Sequence, residues 1–130
     1  MAQLGCTCGH RISDTRDNNP IKGYILRDVS SDRFFQELSD LFDDIVKASH
    51  SNRLDSWQLE NGFPQYYVDL KLSPGNIFHD MLAGRFNDEF RDILECEKCG
   101  RVWIETSIES KFESYSPDNN QVNYILASNS

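Results

Sequence analysis

Four cysteines carry the strongest chemical signal in this sequence, and they fall into two closely spaced pairs. Cys96 and Cys99 form a Cys-x-x-Cys pair that is followed by Gly100. This spacing is typical of metal-binding turns, in which the glycine adopts a positive φ. Cys6 and Cys8 form the second pair, which a glycine also follows. Because tetrahedral zinc takes four protein ligands, the two pairs together predict one Cys₄ site for Zn²⁺.

The role expected for this zinc ion is structural. Four thiolates complete its coordination shell and leave no open position for water or substrate. A metal that joins two distant segments also lowers the entropy of the unfolded chain. Three alternatives stay open: His10 replaces one cysteine as a ligand, Cys96 and Cys99 form a redox dithiol, or the four thiolates hold an iron–sulfur centre.

The segments around the second cysteine pair predict a β-hairpin. Ile93 and Leu94 lead into the Cys-x-x-Cys turn, and residues 101–105 leave it. Residues 111–115 are expected to add a third strand. A further strand is predicted at residues 22–27, whereas residues 1–20 are expected to be irregular. The apolar run at 122–126 is predicted to form a strand or a helical turn.

Helices are predicted between the two cysteine pairs. Residues 30–47 show apolar side chains at helical spacing, and a second, less regular helix is expected over 77–90. The apolar stripe of the first helix comprises Phe34, Phe35, Leu38, Leu41, Phe42, Ile45 and Val46. Residues 49–63 are expected to form a loop, with a short helical turn around Trp57. Residues 66–72 alternate in the manner of a strand. The face of that strand would carry Tyr66, Val68, Leu70 and Leu72.

Together these elements predict an α+β fold, in which a small antiparallel sheet packs with about two helices. The sheet includes the zinc-knuckle hairpin. A chain of 130 residues has the usual length of one domain, so a single domain over residues 1–130 is expected. Its zinc ribbon would be split between residues 1–28 and 90–116, and one zinc ion would join the N- and C-terminal parts.

Two stretches of the sequence resemble a family of small, mostly uncharacterised bacterial proteins. The first stretch reads Cys6-x-Cys8-Gly9-x-x-Ile12-x-Asp14-x-x-Asp17-x-x-Pro20-x-Lys22, followed by Asp28. The second reads Cys96-Glu97-Lys98-Cys99-Gly100-Arg101-Val102-Trp103-Ile104. The resemblance implies a split zinc ribbon on a single small domain, and it transfers no catalytic residue. The middle of the chain is longer than in that family, so an additional function is expected between residues 48 and 75.

The charge balance argues against direct binding to nucleic acid. The chain has 13 Lys and Arg against 21 Asp and Glu, which gives a formal net charge of -8. Affinity for nucleic acid comes largely from clustered basic residues. No apolar run approaches the roughly 20 residues that span a bilayer, so no membrane association is expected. The N-terminal residues lack the pattern of a signal peptide, and a cytoplasmic location is therefore expected.

Acidic and aromatic side chains in the middle of the chain form a candidate surface for a protein partner. Its predicted members are Asp40, Asp43, Asp44, Asp55, Trp57, Glu60, Tyr66 and Tyr67. Complementary charge accelerates the capture of a basic partner, and aromatic side chains are enriched at interface hot spots. The leading hypothesis is a non-catalytic binding domain that acts as an immunity protein against a basic bacterial toxin domain. The alternative is a zinc-ribbon accessory protein of transcription or translation.

An enzyme is the least favoured hypothesis. The sequence lacks Gly-x-Ser-x-Gly, a P-loop and Gly-x-Gly-x-x-Gly, and zinc binding would occupy all four cysteines. A catalytic role would depend on Asp14, Asp17 or His10 near the metal. Carboxylates in polar loops more often bind backbone amides. We therefore expect no catalytic residue.

Overall fold

The computed structural model describes residues 3–15, 18–108 and 111–127, and these form six strands and four helices. The strands are β1 (Gln3–Gly5), β2 (Arg11–Ser13), β3 (Lys22–Leu26), β4 (Phe90–Glu95), β5 (Val102–Glu105) and β6 (Phe112–Tyr115). The helices are α1 (Asp28–His50), α2 (Leu54–Glu60), α3 (Gln65–Val68) and α4 (Pro74–Glu89). The predicted α+β class is confirmed. Within the described part of the chain, none of the helices combines the length and apolar character that crossing a bilayer requires.

The chain divides into two compact units. Unit 1 comprises Met1–Leu26 and Phe90–Ser130, and unit 2 comprises Arg27–Glu89. Both sheets belong to unit 1, whereas the four helices belong to unit 2. The two predicted ribbon segments fall in unit 1 except for residues 27 and 28. The extent of the domain stays a prediction.

Unit 1 contains two antiparallel sheets around a small core. One sheet pairs β1 with β2, and the other has the strand order β3-β4-β5-β6. Ile12, Ile21 and Leu94 are buried together with Cys6 and Cys96. The cysteines are thus part of the core itself. Leu4, Trp103 and Phe112 pack against this core and are partly buried.

Unit 2 is built around α1 and α4, which run antiparallel. Arg33 pairs with Glu89 across 3.0 Å, and Arg85 pairs with Glu37 across 2.8 Å, so the start of α1 lies beside the end of α4. The buried core is Leu41, Ile45, Ala48, Trp57 and Ile77. This core is apolar throughout, and α2 contributes to it through Trp57.

Three predictions about local structure need correction. Residues 66–72 do not form a strand, because Gln65–Val68 is a short helix in which the Pro64 carbonyl accepts the N–H groups of Tyr67 and Val68. Only Val68 of the predicted strand face is fully buried. Residues 1–20 were expected to be irregular but include the hairpin β1-β2. Residues 122–126 form no strand, and the Ala127 N–H donates to the Tyr124 carbonyl in a tight turn.

The predicted apolar stripe of α1 is only partly buried. Phe34, Leu41 and Ile45 lie in the interior, whereas Phe35 and Phe42 are more than half exposed. Val46 is also exposed. The stripe is wider than the surface that the neighbouring helices cover, so helical periodicity identified the helix but not the limits of its buried face.

Candidate metal centre

The four cysteines come together in unit 1, at the turns of two hairpins. Cys6 and Cys8 lie in the turn between β1 and β2, and Cys96 and Cys99 lie in the turn between β4 and β5. Their four Sγ atoms all lie within 4.8 Å of one another. The site therefore joins residues that are 88 and 93 positions apart in the sequence.

The two turns have similar backbone hydrogen bonds. In the second turn, the Cys96 N–H donates to the Arg101 carbonyl, and the Gly100 N–H donates to the Cys96 carbonyl across 2.8 Å. In the first turn, the Cys6 N–H donates to the His10 carbonyl, and a glycine N–H donates to the Cys6 carbonyl across 3.0 Å. Both glycines have positive φ angles, 94° at position 9 and 82° at Gly100. The Cys-x-Cys turn is thus a knuckle one residue shorter than the Cys-x-x-Cys turn.

The spacing of the sulfurs fits a tetrahedral ion. The Sγ atoms of Cys6 and Cys99 are 3.6 Å apart, and those of Cys8 and Cys96 are 3.7 Å apart. A tetrahedron with metal–sulfur bonds of 2.3 Å has edges of about 3.8 Å. A disulfide would place two sulfurs about 2.05 Å apart, and all four cysteines are free. The donor set is therefore suited to one thiophilic cation at its centre.

Hydrogen bonds and burial act in opposite directions on the thiols. Burial raises the pKa of Cys6, but the Cys8 N–H, the Trp103 indole and neighbouring thiols outweigh it and lower the pKa to about 6. Burial raises the pKa of Cys96 to about 12, although the N–H groups of Cys99 and Lys98 oppose that shift. The cluster therefore favours the thiolate of Cys6 and disfavours that of Cys96, unless a cation offsets the negative charge.

Two side chains near the cysteines have roles that the sequence did not indicate. Trp103 packs against the core cluster that contains Cys6, and its indole nitrogen is buried without a hydrogen-bond partner among the described residues. Its N–H lowers the pKa of Cys6 and so favours the thiolate. The His10 Nε2 atom lies 3.0 Å from Oε1 of Glu97, and this contact links the two turns. His10, an alternative ligand in the sequence analysis, thus bonds a carboxylate. Only the position of Trp103 after the knuckle could have indicated its role.

A second polar cluster in unit 1 surrounds Lys22. The Nζ atom lies 2.6 Å from Oδ1 of Asp14 and 3.7 Å from Oδ2 of Asp92. Glu105 accepts the backbone N–H of Asp92 across 3.0 Å. These carboxylates line a cavity of about 80 Å³. Asp17, a candidate catalytic residue together with Asp14, lies outside the described residues.

The predicted partner-binding residues all lie in unit 2, and they differ in exposure. The exposed members are Asp40, Asp43, Asp44, Asp55, Glu60 and Tyr66. Trp57 is buried in the core, and Tyr67 packs partly against it, stacked on Phe63. Asp55 forms an ion pair with Lys71. The aromatic part of the predicted surface is therefore mostly core.

A groove on unit 2 brings together three of the predicted residues. Asp40 and Asp44 lie one helical turn apart on α1, and they line the groove with the edge of Trp57. Its volume is about 240 Å³. Glu37 and Arg85 also line it, and their charges are paired with each other. In the part of the chain that the structure describes, no cation pairs with Asp40 or Asp44, and Oδ1 of Asp40 accepts the Gln36 amide N–H across 2.9 Å.

Fold and site together define a small α+β protein with a four-cysteine site of metal-binding type. Residues 2–119 match the family described as "Domain of unknown function (DUF8617)", and the chain belongs to that family. No curated protein and no solved structure matches the chain. The resemblance to a bacterial split-zinc-ribbon family stays a prediction. The matched region ends at residue 119, within the last described segment, residues 111–127.

Proposed function

We propose that this protein is a non-catalytic binding domain stabilised by one structural zinc ion. The proposal depends on one observation: four sulfurs from two knuckles lie at the spacing of a tetrahedron around a common centre. Zn²⁺ would be held by Cys6, Cys8, Cys96 and Cys99, and this shell leaves no position for substrate. Binding free energy at such a site contributes directly to folding.

The metal is tested by native mass spectrometry and elemental analysis of the purified full-length chain. We expect one zinc ion per chain, and none in a Cys8→Ser/Cys96→Ser double variant. Iron with visible absorption would point instead to an iron site. A metal-free, folded chain with a disulfide between Cys96 and Cys99 would overturn the zinc proposal and favour a redox dithiol.

We further infer that the groove on unit 2 binds a basic protein, and that inhibition of a bacterial toxin is the function this chemistry favours. The support is the pair of carboxylates at Asp40 and Asp44 and the net charge of -8. Complementary charge accelerates association with a basic nuclease-type domain and raises specificity for it. A closed metal site is compatible with a role in binding alone.

The partner is tested by quantitative capture from the native cells with three forms of the chain. Wild type is compared with Asp40→Lys/Asp44→Lys and with a control of equal charge, Glu113→Lys/Asp118→Lys, whose positions lie in unit 1. We expect a basic toxin domain to bind wild type and the control but not the groove variant. Capture of a polymerase or ribosomal protein would favour the accessory role instead. Equal capture by all three forms would exclude the groove as the binding site.

A further inference from the structure

Glu95 is a buried carboxylate whose partners lie on the C-terminal segment. Its side chain belongs to β4, and the residue is only 2% exposed. Its Oε2 atom accepts the Asn123 N–H across 3.0 Å, and its Oε1 atom accepts the Ile125 N–H across 3.1 Å. A carboxylate offers two acceptor oxygens and no donor, so it suits two backbone N–H groups that face the same point.

Two glycines make room for the same segment. A Cβ atom at Gly23 would lie 2.9 Å from Cδ2 of Leu126, and one at Gly100 would lie 2.3 Å from the Gln121 carbonyl oxygen. Real Cβ atoms do not approach other atoms so closely. A larger residue at Gly100 would therefore displace the backbone at Gln121, whereas one at Gly23 would displace the flexible end of the Leu126 side chain. The groove that receives residues 121–126 is therefore formed by Gly23, Glu95 and Gly100. We call it the Glu95 groove.

The segment in the groove combines these contacts with hydrogen bonds of its own. Nδ2 of Asn119 donates to Oδ1 of Asn123 across 2.7 Å, and Oδ1 of Asn119 accepts the Gln121 N–H across 3.1 Å. Asn120 and Tyr124 have φ angles of 54° and 52°, in the left-handed region that L-residues other than glycine rarely adopt. Tyr124 is 70% exposed, so its own packing does not explain its conformation. Residues 120–127 also lie beyond the matched family domain, whereas the three groove residues lie within it. The groove residues and the segment that fills the groove thus lie on opposite sides of the end of the matched region.

We propose that the Glu95 groove is a peptide-docking site and that residues 121–126 are its resident ligand. The ligand chemistry follows from the contacts. Two backbone N–H groups two residues apart bind the carboxylate, and an aliphatic side chain one residue further along lies on Gly23. A peptide with the sequence of the segment binds the same groove in trans once the resident segment is released. This site goes beyond the proposed function, because it involves neither the identity of the metal nor the acidic groove of unit 2.

The proposal is tested in the full-length chain with the substitution Ile125→Pro. Proline removes the N–H that Oε1 of Glu95 accepts and leaves the groove residues unchanged. We expect hydrogen exchange at the Asn123 amide to accelerate at least about tenfold, with the amides of β4 and β5 still protected. A fluorescent peptide of residues 119–127 should then bind this variant saturably, and wild type far more weakly because its own segment competes.

A matched pair of substitutions tests how much the Glu95 carboxylate contributes to peptide binding. Adding Glu95→Gln to Ile125→Pro should weaken peptide binding at least about tenfold, because an amide offers one acceptor oxygen and a donor that opposes the second N–H. Adding Glu113→Gln, an exposed carboxylate of β6, should leave binding unchanged. If Ile125→Pro does not fold, Leu126→Asp releases the segment without a backbone change. Unchanged exchange at Asn123, a released segment without peptide binding, or equal binding with Glu95→Gln would each overturn the proposal.

Discussion

The two units of this protein bury their interiors in different ways. Unit 1 encloses few aliphatic side chains and places two of its four cysteines among them. Unit 2 packs Leu41, Ile45, Trp57 and Ile77 into an apolar core that contains no cysteine. Small domains bury too little apolar surface for a large margin of stability. In the zinc site that we propose, the cysteine ligands of unit 1 would take the place of the core that unit 2 builds from apolar side chains.

The units also differ in how their polar groups are arranged. In unit 1, the buried carboxylate Glu95 has two N–H partners, and Lys22 is paired with two carboxylates. In unit 2, Asp40 and Asp44 line an open groove, and Phe35 and Phe42 remain exposed on α1. Unit 2 also pairs charges internally, as in Arg33 with Glu89 and Arg85 with Glu37, so the difference between the units is the open acidic groove that we propose for recognition.

Removal of the metal should produce the largest difference in stability between the two units. A strong chelator at neutral pH should unfold the sheets of unit 1, because structural zinc contributes about 10–16 kcal/mol in small zinc domains. The helices of unit 2 should persist, since their core contains no ligand. Amide hydrogen exchange resolved by residue gives the measurement.

The control for chelation is readdition of zinc, which should restore protection in β4 and β5, whereas Mg²⁺ should not. Full protection of these strands in a chain shown to be metal-free would contradict the comparison. It would mean that the small aliphatic core of unit 1 is sufficient for its stability.

We expect the loss of zinc affinity to be greater when the substituted cysteine is more deeply buried. Cys96 is fully buried in the core, whereas Cys8 is exposed. If the binding free energy is divided equally among four ligands, the loss of one cysteine lowers the zinc affinity roughly 100-fold. We expect Cys8→Ser to show a loss of this order and Cys96→Ser a greater one, because the serine hydroxyl also enters an apolar interior. Competition with a chromophoric chelator measures both. Equal losses would mean that burial does not influence the site.

The complementary change lies in the core of unit 2. Ile77 is fully buried, so Ile77→Ala should destabilise the helices by about 2–5 kcal/mol and leave zinc stoichiometry unchanged. Ile77→Val, the matched control, should lower the free energy of unfolding by about 0.5–1.5 kcal/mol. Urea unfolding followed by helical circular dichroism gives both values. A loss of zinc in Ile77→Ala would show that the two units do not have separate sources of stability.

The sequence predicted the parts of the fold whose signals are local and strong. The hairpin around Cys96 and Cys99 follows from two apolar strands and a knuckle with glycine, and α1 follows from its periodicity. The four-cysteine cluster followed from the number of ligands that zinc requires rather than from any contact. The hairpin around Cys6 and Cys8 was missed because its strands have only three residues each.

Other features depend on contacts that no local pattern contains. Alternation from Tyr66 to Leu72 resembles a strand, but Pro64 and the stacked pair Phe63 and Tyr67 favour a helical turn. The docking of Ile125 on Glu95 joins residues 30 positions apart, and its donors are backbone groups. Side-chain patterns therefore could not predict the Glu95 groove.

The smallest expected effect concerns a hydrogen bond at the margin of unit 2. The Tyr67 hydroxyl donates to Oδ2 of Asp80 across 2.5 Å. Burial and this bond raise the pKa of Tyr67 to about 12, and the same bond lowers the pKa of Asp80. The phenol contributes stability that is fully present below its unfolded pKa of about 10 and is lost as the pH rises through about 12. The carboxylate contributes stability that is present above about pH 4 and is lost as the pH falls through its lowered pKa.

Tyr67→Phe should therefore lower the melting temperature of unit 2 slightly between about pH 4 and 10, and the difference from wild type should diminish at both extremes. Thermal unfolding across this range tests the profile, and absorbance at alkaline pH follows ionisation of the phenol. Tyr66→Phe is the matched control, because Tyr66 is 76% exposed and should show no such profile. If the two variants share one pH dependence, the bond to Asp80 does not stabilise unit 2. The apolar core would then account for the stability of this unit without help from its surface, which would sharpen the contrast with unit 1.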